Sequence, residues 1–438
     1  MKNFYRYYFS FFLFFLIFSC KNENSLDNQN SQIPANENGN IILIIADDYG
    51  LDASVGYTVG NQKPNMPVIQ NLIDNGITFN NVWSNPVCTP TRATILTGKY
   101  GYRTEVLNVN DRLSENESTI FNYLNQNTNY SSALIGKWHL AGTPPILNHP
   151  NSLGVEFFSG IIGGGVQDYY NWTLNKNGVN ENVNQYTTSK LTDEAINWIR
   201  NQEKEWFLWL AYNAPHTPFH LAPVNLHSLG QLPSDQASID ENPIPYYFSM
   251  LEAMDSEIGR LLSSLDSDEL EKTTILFIGD NGTPNPVSQQ YNSRRVKGTL
   301  YQGGINVPMI ISGFQVNRSN TQENSLINLT DLFTTILKLC GMNISNINDS
   351  KSFYNLLNSA SSQETREYVY SELGQQNFTI RNKTHKYISF DDGTEALFNL
   401  NNNPFERPNL LNANQLPLTE TNRNNLEDLK NKLFEIRN

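Results

Sequence analysis

Short, uninterrupted apolar runs are the most regular feature of this chain. Three of them, Ile41–Ile45, Trp206–Tyr212 and Thr273–Ile278, contain few polar residues, and a shorter one lies at Ser132–Ile135. Continuous apolar runs of this length are typical of parallel strands that are buried on both faces. We therefore predict a strand at each run, in a sheet with both faces covered.

Helical patterns lie between these runs. Apolar residues recur every three or four positions over Met66–Gly76 and Tyr247–Leu265, and helices are also predicted at Thr119–Asn127 and Leu191–Arg200. Alternating strands and helices predict an α/β fold with a largely parallel sheet. We assign residues 40–340 to this large domain.

The pattern changes from about Gly341 onward. Short strands are predicted at Tyr368–Ser371, Phe378–Arg381 and His385–Phe390, and a closing helix at Glu420–Ile436. Several strands without intervening helices indicate a separate α+β arrangement. We therefore predict a small C-terminal subdomain, residues 341–438, with a short antiparallel sheet.

The N-terminus resembles an export signal. Two basic residues precede the apolar run Phe11–Phe18, which is too short to span a bilayer, so residues 1–19 are predicted to be a signal peptide. The run ends at Cys20 in a sequence that resembles a bacterial lipobox. We expect Cys20 to carry a lipid, residues 20–39 to be a flexible tether, and the protein to face the periplasm or outer membrane of a Gram-negative cell. The alternative is an ordinary cleaved signal in which Cys20 is incidental.

Composition narrows the range of partners. The chain has 30 basic and 43 acidic residues, a formal charge of −13, which disfavours a nucleic-acid partner. Its three cysteines give no disulfide framework. One of them, Cys340, follows the apolar helix predicted at Leu329–Leu339 and is expected in the core.

Acidic and amide residues follow two of the predicted strands. Asp47 and Asp48 come after the first run, and Asp280 and Asn281 come after Thr273–Ile278. An Asp-Asp pair can be a loop or a helix cap, but two such strand ends favour one shared site at the edge of the sheet. Like charges about 4 Å apart repel by roughly 4 kcal/mol per pair at an effective dielectric near 20, so we predict a divalent cation. Oxygen ligands favour calcium or magnesium over zinc.

The segment Pro86–Arg103 contains the second cluster of candidate residues. Cys88 is predicted to lie just ahead of a helix that has Pro90 at its first position and Gly98 at its end. The N-terminus of a helix attracts anions, and Arg92 adds a positive charge one turn along. An isolated cysteine is more often a small core residue.

The residues from Cys88 to Arg92 match the Cys-X-Pro-X-Arg signature of the type I sulfatases. Further segments resemble this family in the same order: Ala46–Gly50, Gly136–Leu140, Ala214–His216, Gly279–Gly282, Lys297–Thr299 and Gly303–Gly304. The resemblance covers most of the mature chain. It implies an alkaline phosphatase-like fold with a large mixed, mostly parallel central sheet flanked by helices.

The resemblance also implies a cofactor chemistry. A maturase would oxidise Cys88 to formylglycine, and calcium, rather than magnesium, would be the cation. Its ligands would be Asp47, Asp48, Asp280, Asn281 and the modified residue 88. The implied reaction is hydrolysis of a sulfate ester to an alcohol and inorganic sulfate.

The remaining site residues take their roles from the same resemblance. Lys137 and His139 would contact the formylglycine, and His216 would protonate the departing alcohol oxygen. Arg92, Lys137 and Lys297 would stabilise charge on the sulfuryl oxygens. A lone lysine or histidine is otherwise more often a surface or satisfied core residue.

An exported lipoprotein of this family suggests a sulfated carbohydrate substrate. Two alternatives stay open: a phosphodiesterase or phosphonate monoester hydrolase of the same superfamily, and a non-catalytic surface protein that binds glycans. A loop is predicted over Ser159–Tyr170, which contains three consecutive glycines. That loop could shape a substrate pocket or be an irregular crossing.

Overall fold

The computed structural model describes residues 38–360 and 366–438, which fall in one compact unit. The predicted signal peptide, Cys20 and nearly all of the tether lie outside the described residues. Within those residues, no helix is both long enough and apolar enough to cross a membrane.

Fourteen strands form two sheets within residues 38–360 and 366–438. They are β1 (Asn40–Ala46), β2 (Gly76–Trp83), β3 (Ser131–Lys137), β4 (Phe157–Ile161), β5 (Trp172–Lys176), β6 (Val179–Val183), β7 (Trp206–Ala211), β8 (Thr273–Gly279), β9 (Met309–Gly313), β10 (Thr321–Asn328), β11 (Val369–Leu373), β12 (Asn377–Arg381), β13 (His385–Ser389) and β14 (Glu395–Asn399).

Twelve α-helices accompany them in the described part of the chain. They are α1 (Pro67–Asp74), α2 (Cys88–Thr97), α3 (Gly101–Thr104), α4 (Ile120–Asn127), α5 (His149–Ser152), α6 (Thr187–Ile199), α7 (Gln236–Glu241), α8 (Ile244–Leu262), α9 (Ser267–Glu271), α10 (Gln302–Ile305), α11 (Asp331–Leu339) and α12 (Glu420–Arg437).

The large sheet has ten strands in the order β10-β2-β9-β8-β1-β7-β3-β4-β5-β6. Its central strands β8, β1, β7, β3 and β4 all run parallel, as the apolar runs predict. Strand β10 is parallel to β2, whereas β9, β5 and β6 pair with their neighbours antiparallel. The prediction of a mixed, mostly parallel sheet is confirmed.

Side chains of β1 alternate between two hydrophobic cores. Ile42 and Ile44 pack in a core with helices α1, α6 and α8, whereas Leu43 packs on the opposite face with α2, α4 and α11. All seven residues of β1 are buried, which is why the strand is apolar at every position except its first. The large sheet is therefore the middle of three layers.

Strands β11 to β14 form a second, antiparallel sheet, and α12 packs against it through Leu429 and Leu433. The predicted C-terminal α+β arrangement is thus present, and its boundary at residue 341 stays a prediction. Ser371 Oγ in β11 donates a hydrogen bond to the carbonyl oxygen of Ser84, 2.8 Å away. This contact ties the small sheet to the segment that leads into α2.

The structure corrects two local predictions. The predicted loop at Ser159–Tyr170 begins too early, because its first three residues belong to β4. Cys88 is the first residue of α2 and does not precede the helix. Cys340 is buried at the end of α11, as predicted.

Candidate active site

Cys88 begins α2 and is 2% exposed. The residue before it, Val87, is extended, and the helix ends at Gly98, whose φ of 66° is one that glycine adopts without strain. The Cys88 Sγ lies 3.2 Å from Nδ1 of His139 and 3.5 Å from Nζ of Lys137. Burial raises the pKa of the Cys88 thiol, so the encoded cysteine is not itself an activated thiolate.

The ends of β1 and β8 lie side by side because the two strands pair in parallel. Asp48 donates its backbone N–H to Oδ1 of Asp280 at 3.1 Å, and Asn281 donates from Nδ2 to Oδ1 of Asp48 at 2.8 Å. All four acidic and amide residues at these strand ends are buried. The structure thus brings together the two strand ends that the sequence singles out.

Three basic residues pair with the three aspartates, and Arg92 reaches two of them, since it also lies 3.8 Å from Oδ1 of Asp47. Nζ of Lys137 lies 2.6 Å from Oδ2 of Asp47, and Nζ of Lys297 lies 2.5 Å from Oδ2 of Asp48. The Arg92 guanidinium lies 2.7 Å from Oδ2 of Asp280 and also donates to the backbone oxygen of residue 137. The three carboxylates therefore have counter-ions from the protein itself, which removes the charge argument for a cation.

The pKa values of two aspartates shift in opposite directions. Burial favours the neutral acid at Asp47, but the nearby cations, Lys137 first among them, outweigh it and lower the pKa. At Asp280, burial and then the charge of Asp47 raise the pKa to about 6, against the attraction of Arg92. The two acids thus share one electrostatic network.

The argument for a bound cation rests instead on two buried oxygens that accept no hydrogen bond. Oδ1 of Asp47 and Oδ1 of Asn281 accept no hydrogen bond, although both side chains are fully buried. One ligand atom from each of Asp47, Asp48 and His216 lies within 4.8 Å of the others. A buried acceptor without a partner is unfavourable, and a cation coordinated by these oxygens would remove that penalty.

His139 lies between Cys88 and Asn110. Its Nδ1 faces Cys88, and its Nε2 lies 2.8 Å from Oδ1 of Asn110. Burial, with Lys137 adding repulsion, lowers the pKa of His139 to about 2, so the ring is neutral at pH 7. Gly164 packs against this ring: a Cβ there would lie 2.5 Å from Nε2.

His216 follows β7 and lies at the more open side of the site. Its Nε2 lies 3.8 Å from Oδ2 of Asp48, and its side chain is 22% exposed. The backbone oxygen of residue 216 accepts a hydrogen bond from the hydroxyl of Tyr169, 2.6 Å away. Tyr169 belongs to the glycine-containing loop, so that loop contacts both histidines of the site.

Two contributing residues were not found by sequence reasoning. Asn110 has no motif around it and reaches His139 from a loop, and its φ of 68° is one that asparagine tolerates better than most residues. Tyr247 lies in α8, which the sequence marks only by its apolar periodicity, and its hydroxyl donates to the backbone oxygen of Asp48 at 2.8 Å. No local sequence signal marks either contact.

The family assignment follows from comparisons with known proteins. The Sulfatase family model matches residues 39–342, and a model described as N-sulphoglucosamine sulphohydrolase, C-terminal, matches residues 294–436. Because the first match covers more than half of the chain, the protein belongs to the sulfatase family. It is a sulfuric ester hydrolase with the fold of the alkaline phosphatase superfamily.

Relatives and solved structures agree with this assignment. Arylsulfatase K of Gallus gallus is 24% identical over 433 residues, covering 85% of this chain and 78% of the relative. The ulvan-active sulfatase of Formosa agariphila is 25% identical over 449 residues, covering 96% and 86%. The crystal structure of Ps i-CgsB in complex with k-i-k-neocarrahexaose superposes with a TM-score of 0.75 at 23% identity, covering 91% and 92%.

Proposed function

We propose that this sulfatase hydrolyses a sulfate ester of a sulfated carbohydrate with a formylglycine made from Cys88. The observation that carries the proposal is the position of Cys88 Sγ, within 3.5 Å of both His139 and Lys137. In the matured protein the formylglycine hydroxyls would occupy the place that this sulfur marks. The partner required for maturation is a formylglycine-generating enzyme.

A formylglycine at residue 88 would supply, as its hydrate, the oxygen nucleophile for sulfur and a route to release sulfate by return to the aldehyde. His216 would give a proton to the departing alcohol oxygen. His139, whose Nδ1 faces residue 88, would accept a proton from the hydroxyl there when sulfate is released.

Three cations of the chain hold the sulfuryl group. Lys137 lies at the nucleophile, and Lys297 lies across the site next to Asp48. Arg92 bonds Asp280 and a backbone oxygen through its two Nη atoms, whereas its buried Nε has no hydrogen-bond partner among the described residues. We assign all three cations to the stabilisation of charge on the sulfuryl oxygens.

The cation of the proposal is calcium, with magnesium as the alternative. Its ligands would be Asp47, Asp48, Asp280, Asn281 and residue 88. Oδ1 of Asp47 and Oδ1 of Asn281 accept no hydrogen bond, which supports this set of ligands. Oxygen donors favour a hard ion. When bound, the ion would neutralise negative charge on the nucleophile and the sulfuryl group.

A sulfated polysaccharide is the substrate class that the relatives favour. One curated relative is named an ulvan-active sulfatase, and one structural neighbour was solved with a neocarrahexaose. Sulfate release from sulfated mono- and oligosaccharides, measured beside phosphate monoesters, diesters and phosphonates, tests this class. Faster turnover of the phosphorus esters would favour the phosphodiesterase alternative.

Modification of Cys88 is the decisive test. The tryptic peptide ending at Arg92 should be lighter than the unmodified peptide by the difference between a thiol and an aldehyde. Cys88→Ala should fold normally and lose roughly 10³-fold or more of the rate. Sulfate release that persists in Cys88→Ala, or that does not follow the converted fraction, would overturn the proposal.

Export and lipidation at Cys20 complete the proposal. A Cys20→Ala variant with a signal peptidase I site should be soluble and fully active, because the tether contributes no site residue. Cell fractionation and intact mass test this. An unlipidated, free wild-type protein in the periplasm would contradict the membrane anchor and leave the catalytic proposal untouched.

A further inference from the structure

A large cavity lies away from the candidate active site. Its volume is about 990 Å³. Strands β2 and β10 of the large sheet form one side, and the end of β12 in the small sheet forms another. None of the residues assigned above to catalysis or metal binding lines it. The cavity therefore needs its own explanation.

Arg381, the last residue of β12, lines this cavity and is only 4% exposed. Its guanidinium donates to Oδ1 of Asn81 at 3.1 Å and to the backbone oxygens of residues 382 and 383 at 3.0 and 3.1 Å. These bonds use three of the five N–H groups of an arginine. Among residues 38–360 and 366–438, no carboxylate forms an ion pair with Arg381.

The nearest carboxylates are already occupied. Glu406 pairs with the buried Lys386 at 2.7 Å, and its other oxygen accepts the backbone N–H of Gln302. Glu323 lines the cavity but pairs with Arg318 at 2.8 Å. Burial lowers the pKa of Arg381 to about 10, against the attraction of Glu406, which leaves Arg381 charged at neutral pH. Arg381 thus shares the single charge of Glu406 with Lys386, and an anionic ligand would compensate the excess positive charge.

The rest of the wall is suited to sugar rings. The aromatic residues Tyr57 and Tyr291 line it together with many amide side chains, among them Gln322 and Asn324. Amides can both donate to and accept from hydroxyl groups, and aromatic faces pack against apolar ring faces. Gln322 and Asn324 are exposed, so the wall is open to solvent on the β10 side.

We propose that this cavity is a second binding site for an anionic oligosaccharide, with a sulfate or carboxylate group of the sugar on Arg381. The site would hold a polysaccharide on the enzyme while a different part of the chain is hydrolysed. It takes no part in the chemistry, and its occupancy does not depend on formylglycine. Removing the charge should weaken binding by about 10- to 100-fold, as expected for a charged hydrogen bond.

Calorimetry on the Cys88→Ala protein tests the proposal without turnover. The probes are a carrageenan hexasaccharide, the same hexasaccharide after desulfation, an oligoguluronate hexasaccharide and inorganic sulfate. We expect at least one binding event with a sulfated or carboxylated hexasaccharide to disappear in Arg381→Gln, and the desulfated sugar to bind weakly. Comparison of the sulfated and uronate probes identifies the anion that the site prefers.

Two further variants keep the test decisive. Gln322→Trp fills the open side of the cavity without changing Arg381, so it should abolish the same event even if Arg381→Gln is unstable. Arg423→Gln removes an arginine from α12 outside the cavity and should leave binding unchanged. Affinities of the Arg381→Gln and Gln322→Trp variants equal to that of the Cys88→Ala parent, or no binding of either anionic hexasaccharide to that parent, would overturn the proposal.

Discussion

Nζ of Lys137 lies 2.6 Å from Oδ2 of Asp47, and neither side chain has solvent-exposed surface. Each side chain compensates the charge of the other, because neither could stay ionised alone in this buried position. The same ammonium group lies 3.5 Å from Cys88 Sγ, so the pair connects the acidic end of β1 with the start of α2. We therefore expect stability and catalysis to depend on the same lysine.

Lys137→Met should destabilise the metal-free protein by about 3–5 kcal/mol, because it leaves the buried Asp47 with only the longer, 3.8 Å ion pair to Arg92. Chemical denaturation in chelator measures this. The double variant Asp47→Asn/Lys137→Met should recover part of the loss. As a control, Lys432→Met breaks an exposed pair with Glu435 and should change stability by about 1 kcal/mol or less. Equal effects of the two single changes would contradict the role of burial.

Asp280→Ala should lose both bound metal and activity. The change removes one proposed ligand, leaves Arg92 without its 2.7 Å partner and frees the backbone N–H of Asp48. We expect turnover to fall by about 100-fold or more. Elemental analysis and sulfate release measure the two effects, and the exposed Asp391→Ala serves as the control. Zinc in the wild-type protein, or full activity in chelator, would contradict the calcium assignment.

Gly164→Ala should impair catalysis with little effect on folding. The new Cβ would lie 2.5 Å from Nε2 of His139 and must displace the ring. A displacement of this size near a reacting group can reduce the rate about 100-fold. Gly163→Ala is the matched control, because no atom lies within 4 Å of a Cβ there. Steady-state rates and melting temperatures of the two variants test the prediction, and equal rates would refute it.

Asp255 gives a prediction about pH. This residue of α8 accepts the backbone N–H groups of Val68 and Ile69, at 3.1 and 2.8 Å, and so caps the start of α1. Burial raises the pKa of Asp255 from 3.8 to about 6. The charge of Glu252 also raises this pKa, whereas the two hydrogen bonds lower it. The folded state therefore binds this proton more tightly than the unfolded state does.

The stability contributed by that proton is fully present below pH 4 and lost as the pH rises through 6. The unfolding free energy of the wild type relative to Asp255→Asn should fall by about 3 kcal/mol between pH 4 and pH 7. Denaturant titrations of both proteins across this range measure the difference. Parallel pH profiles would show that Asp255 has an ordinary pKa in the folded protein.

The sequence predicted the central strands well because burial on both faces leaves them apolar. Strand β2 escaped detection, since Asn80 and Asn81 interrupt its pattern where it faces the cavity. The hairpin of β5 and β6 has a sequence signal in its turn. Its turn is Asn177-Gly178, with φ of 46° and 87°, and Asn-Gly is the residue pair that such tight turns favour.

For the site, the motifs located the ten candidate residues, but not how they pair. The pairing of Lys137, Lys297 and Arg92 with the three aspartates depends on which strand ends become neighbours, and that is decided by the sheet order. The contact of Asn110 with His139 likewise requires a loop to arrive from elsewhere in the chain. Tertiary contacts of this kind leave no local pattern to read.

The pairing of β1 also dictates an order of events during folding. Ile41 lies opposite Phe207 on one side and Thr274 on the other, so the central strand lacks its first neighbour until residue 211 has been made and its second until residue 279. Pairings of such long sequence separation form slowly. During that interval we expect the thiol of Cys88, 2% exposed in the folded protein, to be accessible to another enzyme. The strand order thus provides a limited period for chemistry on a residue that the finished fold encloses.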